Sequence, residues 1–337
     1  MSVRACLIPP VALLFGLVSA CGNVVREEPS GAGGASSSAS SGASSGACER
    51  DCKGQPCTGG LCEPVVLASD LYFASRLALD GTRVYWTSAD GTVHALPLGG
   101  GAMITLASGQ EDPWDLAVDE QGVYVTDAGA NTVVSIPLSG GPTALLAEAG
   151  NPLGIVVRSG VVHFTNTYDK LSNDEQIVRV PLPAGPASVV AATPGAWMLA
   201  VDDTRVYWTD RASAAVWSAP LAGGDPTLIA EGIVEPSDIE VDEGAVYVTA
   251  LEATFRIPLP GGAPEALVWG AGRGLAMDAT HIYVGAADGR VLRVPKTGGA
   301  ALTLARTELY PSDIAVDDEN VYWVTRSTSG VLVRTHK

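Results

Sequence analysis

Histidine and basic residues are scarce in this sequence, and their scarcity excludes several functions. Only 4 of the 337 residues are histidines, and none occurs in the His-Glu-x-x-His pattern of zinc hydrolases. There are 20 Lys and Arg against 37 Asp and Glu, so the formal net charge is −17. Because nucleic-acid binding requires clustered basic side chains, no nucleic-acid partner is expected. An EF-hand-like loop is also missing, so we predict no cofactor, with calcium as the one conceivable exception.

The dominant pattern is one phrase that is repeated seven times from residue 77 onward. Each copy has a hydrophobic stretch ending in a reference position that is usually Asp, a short gap, and a segment resembling Val-Tyr-Trp-Thr. The reference positions are Asp80, Asp119, Arg158, Asp202, Asp242, Asp278 and Asp317, at spacings of 39, 39, 44, 40, 36 and 39 residues. A period near forty with four strand-like segments is typical of a β-propeller. Asp at the reference position is expected to form a turn, since its carboxylate can accept hydrogen bonds from nearby amides.

The two ends of the repeat array determine the expected number of blades. The last unit stops after a third strand-like segment, Val331-Leu332-Val333, whereas Pro64-Val65-Val66-Leu67-Ala68 precedes the first unit and resembles the fourth strands elsewhere. We therefore predict an all-β fold, a seven-bladed β-propeller over residues 64–337, closed by an N-terminal strand that completes the last blade.

The repeated segments also resemble those of a known family. Val84-Tyr85-Trp86-Thr87, Tyr207-Trp208-Thr209-Asp210 and Val321-Tyr322-Trp323 are similar to the YWTD repeats of low-density-lipoprotein-receptor-type propellers. The resemblance covers residues 64–337 and implies the propeller fold and a binding role. Propellers of that family usually have six blades and a flanking epidermal-growth-factor-like module, whereas this chain has seven units and lacks the module. The resemblance therefore implies no particular ligand.

Residues 1–20 have the pattern of a bacterial lipoprotein signal peptide. A short basic start is followed by an apolar stretch too short to span a membrane, and Val18-Ser19-Ala20-Cys21 resembles a lipobox. Cys21 is predicted to carry the lipids, so the protein would be attached to a membrane by this anchor only. Gly22 in place of Asp favours the outer membrane of a Gram-negative cell envelope. The alternative is an ordinary signal peptide with an incidental cysteine.

Two short segments separate this signal from the repeats. Residues 21–47 are predicted to be a flexible tether, because residues 30–47 contain only Gly, Ala and Ser, which cannot form a core. Residues 48–63 hold Cys48, Cys52, Cys57 and Cys62. An even number of cysteines in an exported chain favours two disulfides, with three connectivities possible. A four-thiolate zinc site is the alternative, although the close Cys-x-x-Cys pairs of such sites are missing.

The first candidate ligand-binding region is a long polar loop in the third unit. All the extra length of that unit falls in residues 166–176, between its second and third strands. Long loops on a uniform scaffold often carry function. The candidate residues are Asn166, Tyr168, Asp169, Lys170, Asn173 and Asp174. A tolerated surface insertion explains the loop equally well, since long loops cost little entropy.

The second candidate region is the mouth of the central channel. The residues four and five positions before the reference position differ between units, so the scaffold alone does not determine them. Those that are expected to line a polar pocket are Arg76, Trp114, Asp115, Trp197, Asp238, Arg273 and Asp313. The alternative is structural: these aspartates would form turns, and the tryptophans would pack between blades.

Two functions from different classes are compatible with these features. The preferred prediction is a non-catalytic, monomeric cell-envelope lipoprotein whose channel-side face binds an envelope protein, a peptide or a glycan. The alternative is a metal-assisted lyase or lactonase that uses Asp115, Asp238 and Asp313. No titratable set in the sequence has a recognised catalytic spacing, which favours the binding role.

Overall fold

A computed structural model describes residues 51–167, 175–193 and 195–337. The predictions for Cys21, Cys48, Tyr168, Asp169, Lys170, Asn173 and Asp174 lie outside these residues. The described residues form thirty strands. Within the same ranges, no helix has the length and apolar composition needed to cross a bilayer.

The N-terminal part of the described chain forms a small hairpin and the strand that closes the ring, and the first three blades follow. The hairpin consists of β1 (Cys57–Thr58) and β2 (Leu61–Cys62), and β3 (Val65–Leu71) follows it. Blade 1 contains β4 (Ala74–Leu79), β5 (Arg83–Ser88), β6 (Thr92–Pro97) and β7 (Ile104–Ala107). Blade 2 contains β8 (Pro113–Val118), β9 (Val123–Asp127), β10 (Thr132–Ile136) and β11 (Ala144–Glu148). Blade 3 contains β12 (Pro152–Arg158), β13 (Val161–Asn166), β14 (Gln176–Pro181) and β15 (Ser188–Ala192).

The remaining blades repeat the same order of four antiparallel strands. Blade 4 contains β16 (Ala196–Val201), β17 (Arg205–Asp210), β18 (Ala215–Pro220) and β19 (Thr227–Glu231). Blade 5 contains β20 (Ile239–Val241), β21 (Ala245–Thr249), β22 (Ala253–Pro258) and β23 (Glu265–Trp269). Blade 6 contains β24 (Gly272–Met277), β25 (His281–Ala286), β26 (Arg290–Pro295) and β27 (Leu302–Arg306). Blade 7 contains β28 (Pro311–Val316), β29 (Asn320–Thr325), β30 (Gly330–His336) and the N-terminal β3.

The ring closes as the sequence predicts. Strand β3 pairs antiparallel with β30, with Val65 opposite Arg334 and Val66 opposite Val333. The first strands of neighbouring blades, including β28 and β4, lie side by side around a central channel. The seven-bladed β-propeller is therefore confirmed, and its last blade is built from both ends of the chain.

The repeated Val-Tyr-Trp-Thr segment is the second strand of each blade, and its composition follows from burial. Each of these strands is buried throughout, apart from its first residue in five of the blades. A strand that is covered on both faces favours β-branched and aromatic side chains over a polar alternation. Trp86, Trp208 and Trp323 are fully buried there. The motif is thus a scaffold element.

The reference aspartates form the expected turns, with an additional partner. In blade 4, Asp202 accepts hydrogen bonds from the amides of Thr204 at 2.6 Å and Arg205 at 2.7 Å, and from the Tyr207 hydroxyl at 2.8 Å. Burial opposes ionisation of Asp202, but these hydrogen bonds outweigh it and lower its pKa. Equivalent tyrosine–aspartate hydrogen bonds occur in five further blades.

Blade 3 lacks the aspartate because its turn is different. Arg158 pairs directly with Val161 across a two-residue turn, and Ser159 and Gly160 both have positive φ, 52° and 72°. Such hairpin turns connect the strands without a side-chain acceptor. His163 takes the place of the tyrosine and is buried.

The cysteine-rich segment contains disulfides. Cys52 and Cys62 are bonded, with a Cα–Cα distance of 5.4 Å, and Cys57 is also in a disulfide. This pairing selects among the three connectivities that the sequence left open. The zinc alternative is wrong for these three cysteines, because a thiolate engaged in a disulfide is not available as a metal ligand.

Candidate functional site

The side chain of Arg76, the third residue of β4, extends into the central channel. Its Nη1 atom lies 3.5 Å from Asp238 Oδ2 and 3.6 Å from Asp313 Oδ1. Its Nη2 atom lies 3.1 Å from the sulfur of Met198. Asp238 and Met198 belong to blades 5 and 4, which face blade 1 across the ring. The guanidinium group therefore closes the channel, and a cavity lies on each side of it.

The three channel aspartates join neighbouring blades. Asp115 and Asp313 are the third residues of the inner strands β8 and β28, and Asp238 immediately precedes the inner strand β20. Each accepts a hydrogen bond from the inner strand of the next blade. The donors are the amides of Ile155 to Asp115 at 3.1 Å, Leu275 to Asp238 at 3.0 Å and Leu77 to Asp313 at 2.7 Å. These carboxylates therefore bridge neighbouring blades, a role different from the turns that the structural alternative assigned to them.

The charges around Arg76 are unbalanced toward acid. Burial opposes the charged form of Arg76, but Asp238, Asp313 and Asp115 outweigh it and raise its pKa. Burial raises the pKa of Asp115 to about 6 and that of Asp313 as well, against the attraction of Arg76. Glu240, further along the channel, has its pKa raised to about 8 by burial and by repulsion from Asp238 and Asp313. One guanidinium group therefore serves three carboxyl groups, those of Asp115, Asp238 and Asp313, while the cation that acts on Glu240 is Lys296.

The cavity on the loop side of Arg76, which we call the entrance pocket, is basic and aromatic. Its volume is about 390 Å³. Arg76 forms its floor, and its other lining residues are Phe73, Ser75, Trp114, Trp197, Arg211, Ser237, Arg273, Tyr310, Ser312 and Arg326. Four of the 20 basic residues of the chain thus line one cavity, while none of its acidic residues within the described ranges does so.

Aromatic rings hold two of the arginines in place. The Arg211 guanidinium carbon lies 4.1 Å from the centre of a Trp197 ring, and that of Arg273 lies 5.3 Å from the Tyr310 ring. Trp114 and Trp197 meet edge to face, with ring centres 5.7 Å apart. Cation–π contacts of this kind orient an arginine while leaving its N–H donors available to another group.

Three arginines at the rim of the pocket, Arg211, Arg273 and Arg326, which we call the upper arginines, form no ion pair with a carboxylate in the described part of the chain. No carboxylate there lies within 4 Å of Arg211, Arg273 or Arg326, although the Nε of Arg211 donates to the Pro236 carbonyl at 3.2 Å. Burial lowers the pKa of Arg211, Glu235 acts in the opposite direction, and Arg273 and Arg76 lower it further. The entrance pocket therefore carries an excess of positive charge on a protein of net charge −17.

The structure divides the residues that the sequence singled out into three groups. Arg76, Trp114, Trp197 and Arg273 meet in the entrance pocket. The three aspartates, Asp115, Asp238 and Asp313, lie below it around Arg76 and line the cavity of about 470 Å³ on the other side. Asn166 is buried, and its Oδ1 accepts a hydrogen bond from the Gly150 amide, so it supports the adjoining loop.

Sequence reasoning missed two of the pocket arginines. Arg211 and Arg326 each stand nine residues after a reference position, just beyond the second strand of blades 4 and 7. The other units have Ala, Thr or Leu at this position, namely Ala89, Ala128, Thr167, Leu251 and Ala287. The difference between the units at this position is the sequence signal that marks both arginines.

The excess of channel carboxyl groups predicts a specific pH dependence of stability. A carboxyl group with a raised pKa in the folded state keeps its proton where the unfolded chain has lost it. The contribution of such a group to the free energy of unfolding therefore decreases as the pH rises from about 4 through the raised pKa. Replacing Glu240 by Gln is expected to increase the free energy of unfolding at pH 8 by about 1–3 kcal/mol and to change it little at pH 4.

Denaturant unfolding at the two pH values measures this effect. The matched control is Glu243→Gln, which alters an exposed glutamate three residues away. An equal change at pH 4 and pH 8 for Glu240→Gln would contradict the assignment of a raised pKa to this carboxyl group.

Comparison with known proteins places the chain by fold alone. No protein-family model matches it, and no curated protein sequence matches it. The nidogen/laminin complex has a TM-score of 0.50 at 19% identity, covering 56% of this chain and 77% of that one. Streptogramin B lyase has a TM-score of 0.65 at 14% identity, covering 82% and 97%. The computationally designed Ika8 protein has a TM-score of 0.61 at 14% identity, covering 81% and 98%. A lyase and a binding complex both occur among these similar structures, so they favour neither candidate function.

Proposed function

We propose that this protein is a non-catalytic, ligand-binding β-propeller of the cell envelope, related to the YWTD-repeat propellers, and that it binds its ligand in the entrance pocket. The single observation that carries this proposal is the convergence of arginine and aromatic side chains in one concave site at the channel mouth. Ligand sites are typically concave and aromatic, with a few convergent polar groups.

The chemistry of the pocket lining favours binding over catalysis. General acid–base catalysis needs a group that exchanges a proton near neutral pH, and arginine remains protonated. The described lining includes no His, Cys, Asp or Glu side chain. The Ser312 hydroxyl is hydrogen-bonded to the backbone carbonyls of Ala74 and Val324 at 3.2 Å, so no base activates it as a nucleophile.

The alternative, a metal-assisted lyase or lactonase, requires Asp115, Asp238 and Asp313 to bind a cation. Arg76 already lies between two of these carboxylates, and each of the three accepts an amide hydrogen bond from the next blade. This donor set fits a guanidinium group better than a metal ion, which needs several free oxygen ligands at 2.3–2.6 Å in the case of calcium. We therefore place the function in the entrance pocket.

The binding role is tested by presenting the full-length protein to an array of envelope-derived peptides and saccharides. We expect at least one probe to be retained, and the double variant Trp114→Ala/Trp197→Ala to lose most of this retention. The matched control is Trp269→Ala, because Trp269 is 71% exposed on the outer strand β23 and does not line the pocket. If the array retains no probe, or if the pocket variant and the control behave alike, the proposed function is wrong.

The envelope location is a separate part of the proposal and has its own test. Lipid attachment at Cys21 would hold the propeller at a membrane through the tether of residues 21–47. Cells that are grown with a labelled fatty acid should incorporate the label into the protein, and Cys21→Ser should abolish it. A Cys6→Ser variant serves as the control, since Cys6 lies within the predicted signal peptide. Unchanged labelling of Cys21→Ser would contradict lipid attachment at this residue.

A further inference from the structure

The entrance pocket combines features that together specify the charge of its ligand. Its three upper arginines come from different blades: Arg211 follows β17, Arg273 lies on β24, and Arg326 follows β29. They enter the same cavity without a carboxylate within 4 Å in the described residues. Gathering like charges in one concavity is unfavourable. The repulsion is relieved when an anion binds.

The basic lining of the entrance pocket contrasts with the acidic composition of the whole chain. Acidic residues outnumber basic ones by 37 to 20, and carboxylates are the partners of Arg76 just beneath the pocket. Arg76 therefore separates the carboxylates in the channel from the arginines in the entrance pocket. The described residues that line the pocket include no Asp or Glu, although Glu235 is near enough to Arg211 to act on its pKa.

The geometry of the donors narrows the class of anion. Arginine presents a planar fork of N–H groups that matches the two oxygens of a carboxylate. The stacking of Arg211 on Trp197 and of Arg273 on Tyr310 orients these forks. Trp114, edge to face with Trp197, adds an apolar surface beside them. The pocket would therefore accommodate a ligand that has both a negatively charged group and a ring.

The size of the pocket limits how large the body can be. A volume of about 390 Å³ lies near the lower end of the roughly 300–1,000 Å³ of small-molecule sites. The Arg76 side chain is only 11% exposed and closes the floor, so a ligand cannot continue through the channel. The pocket therefore suits one or two rings and not a folded segment of a protein.

We infer that the entrance pocket binds a small ring-bearing carboxylate, with its carboxylate held by Arg211, Arg273 and Arg326 and its ring against Trp114 and Trp197. This inference rests on the proposed binding function and adds the chemical class of the ligand. Two sources share this chemistry, an acidic sugar and an aromatic acid. The experiment includes one acid of each kind and therefore distinguishes an acidic sugar from an aromatic acid.

The experiment compares charged and uncharged partners of the same shape. Binding of glucuronate against glucose, and of benzoate against benzamide, is measured on the full-length protein by calorimetry and by tryptophan fluorescence. At least one acid is expected to bind at least tenfold more tightly than its neutral partner. Arg273→Gln and Arg326→Gln should each weaken binding of that acid about tenfold, the usual effect of losing one charged hydrogen bond. The binding of the neutral partner should not change.

Arg290→Gln is the matched control, because Arg290 is a surface arginine on β26 whose Nε contacts Asp288 at 2.7 Å. Thermal unfolding of each variant checks that the fold is intact; Arg273 and Arg326 are exposed, so little change is expected. The inference is overturned if neither acid binds, if acid and neutral partner bind equally, or if the arginine variants bind the acid as well as Arg290→Gln does. Retention of uncharged probes on the array, lost with the tryptophan variant, would leave the binding function standing while this inference fails.

Discussion

Replacement of Arg76 by methionine is expected to lower the free energy of unfolding at pH 7.5 by about 3–5 kcal/mol, the usual cost of removing one partner from a buried ion pair. Methionine retains much of the apolar volume of arginine, so the loss arises mainly from charge. Asp238 and Asp313 would face each other with no cation between them, 3.5 and 3.6 Å from the place that Nη1 occupied. Asp115 would lose the same attraction.

The loss should depend on pH, which separates charge from packing. The pKa values of Asp115, Asp238 and Asp313 are already raised with Arg76 present, and removing the guanidinium group raises them further. At pH 5 the variant can protonate these groups, so the destabilisation should shrink to roughly half or less of its value at pH 7.5. Urea unfolding at both pH values measures the difference.

The control for this substitution is Arg290→Met, which breaks the ion pair of Arg290 with Asp288 on the surface. A surface ion pair contributes about 0–1 kcal/mol, and no comparable pH dependence is expected. If Arg76→Met destabilises the protein equally at pH 5 and pH 7.5, the charge argument is incorrect and Arg76 acts by packing alone.

Removal of the closing strand is expected to have a comparable or larger effect. A chain that lacks residues 1–71 loses the whole pairing of β3 with β30, and with it the side chain of Leu71, which packs with Trp86 and Leu332. Burial of one leucine and several strand hydrogen bonds together amount to about 4 kcal/mol or more. The freed edge of β30 should also promote association.

The measurement is thermal unfolding and sedimentation of the truncated chain, compared with a chain that lacks only residues 1–62. The two chains then differ only by residues 63–71, and neither contains the hairpin or its cysteines. A synthetic peptide spanning residues 63–72, added in excess, should restore the unfolding midpoint toward that of the longer chain, while a scrambled peptide should not. If the chain without residues 1–71 unfolds at the same midpoint as the one without residues 1–62, non-covalent closure contributes little to stability.

The repeats explain why so much of the fold could be predicted. Pairing within a blade joins neighbours in the sequence, so a period near forty with four strand-like segments determines each sheet, and the two incomplete ends determine the closure. The partners of the channel aspartates are different, because Asp115 contacts Ile155 40 residues away and Asp313 contacts Leu77 236 residues away. These contacts depend on the curvature of the ring, which no local pattern records.

The candidate site was only partly predictable for a related reason. Variation between the units identified the channel mouth, because positions that the scaffold does not constrain are free to differ. That comparison found Trp114, Trp197 and Arg273. It did not show that Arg76 reaches across to Met198, since the direction and reach of a long side chain depend on the space around it.

The layered charge of the channel gives this molecule an electrical polarity along its ring axis. An anion beside the molecule is repelled by its acidic surface, since the net charge is −17, whereas an anion at the mouth is attracted by the arginines. Both effects act within about one screening length, about 8 Å in physiological salt. An anion that approaches the sides of the propeller is therefore repelled, whereas one that approaches along the ring axis is attracted when it comes close to the mouth. Moderate salt should quicken the association of such an anion by screening the body, and should also shorten its residence by screening the mouth.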